Sequence, residues 1–425
     1  MWVAHRLLPV ARATGRTADW LVARPRVVLA SLVVAQIAVT GSVALAAEHD
    51  GWVWFEGDDA ASVVTQAWHL GRLGLVPTEL GYLWSLAVAP ITWVTGSAYA
   101  DALPAVVPLQ VLVLGPIALL CVYGIAARIG GSLLGYWASL VWMLAPVAAT
   151  PLFDPRYDDL WIDQVLPQML GLTAVPEYPS TVALLASAYF LVRSLGASSP
   201  TDAALAGLLL GAAGGIHPPS LLMGVGAGLA YVVARRWREG LVLGAALGAA
   251  VLVLVLWRER VLGRLAIGEL DLDIDHWRGQ LDQLREYFWS QWLVQWAPLA
   301  GLVAVLMLRR FAVAALLGGW LGAVLAVEGL SPEARIDTGT FWIVLLPAWP
   351  AFLLLVAAIP LLVPTLARRL GERLRPPERT PARARWVAVV AALVVVLPAV
   401  VIAASSVEEA TGAAPAPLRS PVAVP

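Results

Sequence analysis

The sequence predicts an all-α polytopic membrane protein with about 11 transmembrane helices and surface-lying helices in the loops on one side. Three observations carry this. Of 425 residues, 60% are hydrophobic and only 13% are charged, with a mean hydropathy of +0.78, which excludes an ordinary soluble domain. Apolar runs of spanning length recur along the whole chain. The arginines fall at alternate ends of those runs, as the positive-inside rule requires.

The runs are Val27–Ala47, Ala105–Ala127, Leu133–Thr150, Ser180–Val192, Ala203–Ile216, Ser220–Ala234, Leu241–Trp257, Trp292–Leu308, Phe311–Val327, Phe341–Val363 and Trp386–Ala404. The fourth to sixth are short as drawn and need flanking residues to cross about 30 Å of hydrocarbon. One further apolar piece, Leu83–Thr95, has 13 residues and carries Pro90. At that length it reads as a half-helix lying in or re-entering the outer leaflet.

With the N-terminus inside, 19 of the 28 basic residues fall in inner segments, and all 28 are Arg. Making Leu83–Thr95 a full span would move Arg128, the Arg235–Arg238 cluster and the Arg368–Arg385 segment outside, so charge also favours the half-helix. In the same topology 24 of the 29 acids lie outside, against nine arginines, a net charge of −15. Acids contribute little to orientation, so this excess calls for another explanation. The runs themselves hold almost no ionisable groups. Any chemistry is expected on the outer face.

The expected organisation follows. Residues 1–26 form a cytoplasmic segment. Residues 27–364 form a transmembrane catalytic domain, with outer loops at 48–104, 151–179, 258–291 and 328–340. Residues 365–404 comprise a basic inner loop, suited to anionic lipid headgroups, and a last span. Residues 405–425 form a disordered outer tail. The first span is expected to be an uncleaved anchor rather than a signal peptide. The single cysteine, Cys121, excludes an internal disulfide and a thiolate zinc site. No nucleic-acid partner is expected.

The first outer loop opens with Glu56-Gly57-Asp58-Asp59, followed by AASVVTQAWHL (60–70), with Val63, Val64, Ala67 and Trp68 at helical spacing. This reads as an amphipathic helix ended by Gly71 and Gly74, with Asp58 or Asp59 as its N-cap. A cap explains one carboxylate but not three. A helix N-terminus also keeps a carboxylate ionised, so capping and service as a base are compatible. The second loop places Arg156 among Asp154, Asp158, Asp159 and Asp163. That is either a neutralised arginine or an anion-binding one held by carboxylates. Acids in two loops could hold a divalent cation through oxygen ligands, though the sequence requires no cofactor. His217, in GIHPPS (215–220), sits at a span boundary at headgroup level. His276–Trp289 reads as a second surface helix. Arg335, in EGLSPEARIDTGT (328–340), has Glu333 and Asp337 beside it.

Several segments together resemble the GT-C glycosyltransferases, in particular family 39 and the protein O-mannosyltransferases. They are GDDAASVVTQAWHLGRLG (57–74), GYLWSLAVAPITWVTG (81–96), YGIAARIGG (123–131), AALAGLLLGAAGGIHPPS (203–220) and ARIDTGTFWIVLLPAWP (334–350). The resemblance runs from about Arg26 to Pro364 and is closest to an actinobacterial branch with "GLT…PS", here LPQMLGLTAVPEYPS (166–180). It implies sugar transfer, with inversion, from a polyprenyl-phosphate donor to a glycan, lipid or protein acceptor outside a plasma membrane. By the same resemblance Asp58 is the base and Asp59 orients it or the acceptor. Glu56, Asp158 and Asp159 join the substrate site, and Arg156, His217 and Arg335 contact the donor phosphate. Two departures stand out: the second loop is more acidic than the family pattern, and His217 stands where that pattern tends towards Lys. The competing readings are a transporter or flippase of a lipid-linked glycan, and a non-catalytic relative. The near-absence of mid-membrane charge weighs against transport.

Overall fold

The computed structural model describes residues 18–46, 58–78, 80–149, 166–263, 279, 291–329, 331, 340–363 and 382–407. The described chain is helical apart from one two-residue strand pair. Each predicted span is a helix: α1 (Pro25–Ala46), α4 (Tyr99–Gly130), α5 (Ser132–Ala149), α6 (Glu177–Ala197), α7 (Pro200–Ile216), α8 (Pro218–Ala234), α9 (Trp237–Leu262), α10 (Gln291–Met307), α11 (Phe311–Val327), α12 (Leu346–Leu362) and α13 (Ala384–Ala404). Two more precede α4, namely α2 (Asp58–Leu70) and α3 (Leu83–Thr95). The predicted helix at His276–Trp289 and residues 408–425 of the tail lie outside the described residues.

Among the described residues, five helices are long and apolar enough to cross a membrane unaided, namely α1, α4, α6, α9 and α13, and the other spans are shorter apolar rods. α1, α9 and α13 turn Val34, Leu241, Leu252 and Val400 outward, more than half exposed. An apolar surface of that extent is stable only against lipid.

Two of the boundaries that differ from expectation matter here. α4 starts at Tyr99, six residues before the apolar run, and widens into a π-turn at Gln110–Leu114 just after Pro104 and Pro108. The prolines remove backbone donors, and the wider turn re-registers the helix. α6 starts at Glu177 rather than Ser180. Pro179 does not stop it, because proline is tolerated in a first turn, where its missing N–H has no partner to lose. α6 therefore carries Glu177 and Arg193 near its two ends, and α7 carries Asp202 in its first turn. The helical rods are less free of ionisable groups than the apolar runs suggest.

Interior packing uses small residues and polar cross-links, as expected where lipid competes equally for apolar surface. α8 and α11 cross at Gly226 and Gly319, where a Cβ on Gly226 would collide with the Leu316 carbonyl oxygen. Trp320 Nε1 donates to Pro347 O at 2.9 Å, and Ser187 Oγ donates to Ala206 O at 2.7 Å. The main core is built from α4 to α8 with α10 to α12.

A smaller core lies under α2. Ala60, Val63, Val64 and Ala67 pack against Trp84, Val88 and Ala89 of α3, Ala102 and Val106 of α4, and Ala174, Val175 and Ile216. The period-3.6 face read from the sequence is thus the buried face, and Trp68 lies half-buried beside it with the Arg72 guanidinium 3.1 Å from its ring centroid. The chain leaves α2 through β1 (Gly74–Leu75), which pairs in parallel with β2 (Ser406–Val407), just beyond α13.

Candidate functional site

The site grows from three helix ends that meet at the end of the bundle the arginine pattern assigns to the outside. The first is the start of α2. It opens at Asp58, so Asp58 and Asp59 both lie in its first turn, and neither is the N-cap expected from sequence. The helix macrodipole favours a carboxylate in a first turn as it does at a cap. Asp59 is exposed. Glu56, Arg156, Asp158, Asp159, Arg335 and the side chain of Asp58 lie outside the described residues.

The second is the approach to α6. Residues 167–182 are buried almost throughout. Their backbone is held by side chains from neighbouring helices: Trp84 Nε1 donates to Ala174 O at 2.9 Å, and the Gln110 side-chain amide donates to Thr173 O. This delivers Glu177, only 4% exposed, to the first turn of α6. Asp59 is near enough to Glu177 to act on it through space.

The third is the end of α7. His217 leaves the helix in an extended conformation, its N–H donating to Ala213 O at 2.8 Å. Pro218 and Pro219 fix the exit, and α8 starts at once. Gly81, just before α3, lies so close to Gly215 and Ile216 that no side chain would fit between them. His217 Nε2 stands 3.9 Å from Glu177 Oε1, beyond hydrogen-bond length. Burial pushes the imidazole down to about 4, so it is neutral near pH 7, with one donor and one acceptor nitrogen. Glu177 Oε2 and His217 Nδ1 have no hydrogen-bond partner among the described residues.

Beside Glu177, Tyr178 forms one wall of a narrow cleft lined also by Gln36, Thr40, Trp142, Leu170 and Trp349. Gln36 is buried and its Oε1 is unpaired among the described residues, an unusual group for the middle of an apolar helix. Among the described residues, no three His, Cys, Asp or Glu side chains gather as a metal site. Asp59 and Glu177 supply two carboxyls, short of the six or so oxygen ligands of a hard cation.

Of the residues singled out by sequence, then, Asp59 and His217 are brought to one place. Glu177 joins them unannounced. Its signal was available: it is the only acid between Asp163 and Asp202, at the mouth of an apolar run.

No protein-family profile matches the chain, and no curated protein matches it. Among solved structures it is similar to the oligosaccharyltransferase of Archaeoglobus fulgidus in its apo form, with 10% identity and a TM-score of 0.48 over 89% of this chain. The chain spans 56% of that protein's length. A likeness of that degree carries no statement about chemistry.

Proposed function

We propose that this membrane protein is a glycosyltransferase of GT-C type, moving a sugar from a polyprenyl-phosphate donor to an acceptor hydroxyl with inversion. The observation that carries the reading is the meeting of Asp59, from the acidic turn after α1, with buried Glu177 and His217 beside a cleft between helices. The sequence resemblance to family 39 supports it independently.

In this reading the Asp58 carboxylate takes the proton from the acceptor hydroxyl, and Asp59, engaged with Glu177, orients that hydroxyl. The acceptor oxygen bonds to the anomeric carbon as the bond from that carbon to the phosphate oxygen breaks. The electron pair leaves with polyprenyl phosphate, which needs no proton to depart. A single displacement therefore requires one base, and cations or N–H donors at the leaving phosphate. Arg156 and Arg335 are the candidates for that second role, with Glu56, Asp158 and Asp159 completing the substrate site around them. A divalent cation would add charge stabilisation at the phosphate. Activity compared with and without a chelator tests that addition.

The decisive experiment incubates the purified protein in lipid nanodiscs with radiolabelled polyprenyl-phosphate sugars and a cell-envelope extract. Donor consumption by wild type and its loss in Asp58→Ala and Asp59→Ala support the reading. Equal consumption by all three sinks it. Donor crossing a vesicle membrane unconsumed would instead identify a flippase.

A further inference from the structure

An arginine folded into place without a carboxylate is ready to take an anion from outside the chain. Arg128 is such a residue. It lies in the last turn of α4, at the end of the bundle that the arginine pattern assigns to the inside. Its Nη1 donates to Gly124 O at 2.6 Å, one turn back. Its guanidinium stands 4.7 Å from the ring centroid of Tyr189 on α6. A Cβ on Gly124 would collide with that ring, so α4 and α6 touch here and hold the ring beside the guanidinium. Among the described residues, no carboxylate pairs with Arg128, and the Gly124 carbonyl is its one hydrogen-bond acceptor.

A second cation sharpens the demand. The Arg193 guanidinium stands 5.6 Å from the same ring centroid. Asp202 Oδ1 lies 3.4 Å from Arg193 Nη2 and answers that charge. Arg128 is left as a positive group beside another positive group, and an anion set against it removes the repulsion. With its face on the ring and one N–H on a carbonyl, the guanidinium still presents in-plane N–H groups, the geometry a phosphate accepts.

The surroundings indicate what carries the phosphate. Cys121 and Ile117 lie about two and three turns before Arg128 on the same face of α4. Cys121 is half-buried, Ile117 is 39% exposed, and Leu120 beside them is 43% exposed. From Ile117 to Arg128 the helix rises ~16 Å, about half of a 30 Å hydrocarbon core. An open apolar face one leaflet deep, ending in a seated guanidinium, matches an acyl chain below a phosphate. A dissolved phosphate would leave that face unused. A zwitterionic headgroup would bring its own ammonium to a pair of arginines that share one carboxylate.

We infer that Arg128, seated against Tyr189 and reinforced by the field of Arg193, binds the phosphate of an anionic phospholipid in the inner leaflet, with its acyl chain along α4. The site lies at the opposite end of the bundle from Asp59, Glu177 and His217 and does not depend on the glycosyltransferase reading.

The test reads binding without turnover. Delipidated full-length protein in detergent is titrated with phosphatidylglycerol, phosphatidylcholine and inorganic phosphate, and ligand-induced shifts in melting temperature give the affinities. Wild type prefers phosphatidylglycerol to phosphatidylcholine by about tenfold and does not respond to inorganic phosphate. Arg128→Gln abolishes the preference. Arg128→Lys keeps the charge but not the planar fork, and weakens it. Arg310→Gln removes an exposed arginine from the α10–α11 turn at the same end and leaves it intact. An equal loss in Arg310→Gln, or a full preference in Arg128→Lys, would reduce the site to a diffuse positive field and overturn the proposal. A saturable response to inorganic phosphate would overturn it too, by assigning Arg128 to a soluble anion. Should Arg128→Gln fail to fold, Arg128→Lys against Arg310→Gln decides.

Discussion

The two ends of the α6–α7 pair each hold a buried carboxyl, and they treat it in opposite ways. Where α6 ends and α7 begins, Asp202 Oδ1 is 3.4 Å from Arg193 Nη2 and accepts the Ala382 N–H at 3.2 Å. Ser199 caps the same turn, accepting from Asp202 N at 3.2 Å. Arg193 is itself held over the Tyr189 and Phe190 rings, and Arg128 stands 4.7 Å from the Tyr189 ring centroid. At the other end, Glu177 faces a neutral imidazole and a second carboxyl. An open oxygen alone does not separate the two, because Asp202 Oδ2 is unpaired among the described residues just as Glu177 Oε2 is. The difference is charge. Asp202 has a guanidinium opposite it, which is what a structural tie needs. Glu177 instead faces an imidazole that burial keeps neutral.

The largest expected effects test that contrast directly. Asp59→Asn should lower turnover by about 10²-fold, the usual cost of misplacing a reacting hydroxyl, with an unchanged melting temperature. Asp202→Ala should do the reverse. Leaving half-buried Arg193 without that carboxylate costs about 1–3 kcal/mol of stability, while turnover per folded molecule stays at the wild-type value. Activity and thermal melts on both variants check the pair. If Asp202→Ala loses turnover without losing stability, the division between a tie and a site fails.

A smaller effect is expected from pH. The folded-state value of His217, about 4, lies below its ordinary 6.5, so between these the unfolded chain takes up a proton that the folded chain refuses. The resulting stability is fully present above about pH 6.5 and is lost as pH falls towards about 4. His217→Asn should flatten that part of the melting-temperature profile. A profile identical to wild type would show that the imidazole is not held neutral by burial.

The contrast also explains what was legible in the sequence. The spans, the 13-residue α3 and the buried face of α2 were all readable, because each follows from apolar run length or from spacing at 3.6 residues. The charge count singles out one end of the bundle. Glu177 was not readable as part of α6, because prolines at 176 and 179 frame it as a loop and the apolar run starts only at Ser180. The meeting of Asp59, Glu177 and His217 brings together residues more than 150 positions apart, a relation no local pattern encodes. The first-turn position of Asp58 and Asp59 differs from the predicted cap by a single residue, within the ordinary uncertainty of a helix start.

The smallest effect asks how far the site depends on its frame rather than on its charges. Trp257 of α9 is fully buried, with its ring centroid 5.7 Å from that of Tyr82, and its Nε1 donates to Leu80 O at 3.3 Å. It thereby holds the turn at 80–82, whose Gly81 lies against the Gly215–Ile216 backbone one residue before His217. Trp257→Phe keeps an aromatic ring and removes that one hydrogen bond, worth about 1 kcal/mol. A drop of that size in stability, faster hydrogen exchange over 80–86 and an almost unchanged turnover are expected. A loss of turnover as deep as that of Asp59→Asn would mean that placement of the turn, and not the carboxyls themselves, sets the activity of this end of the bundle. The same comparison run on Gly81→Ala applies the displacement from the other side, because its added carbon pushes directly on the strand of backbone that delivers His217.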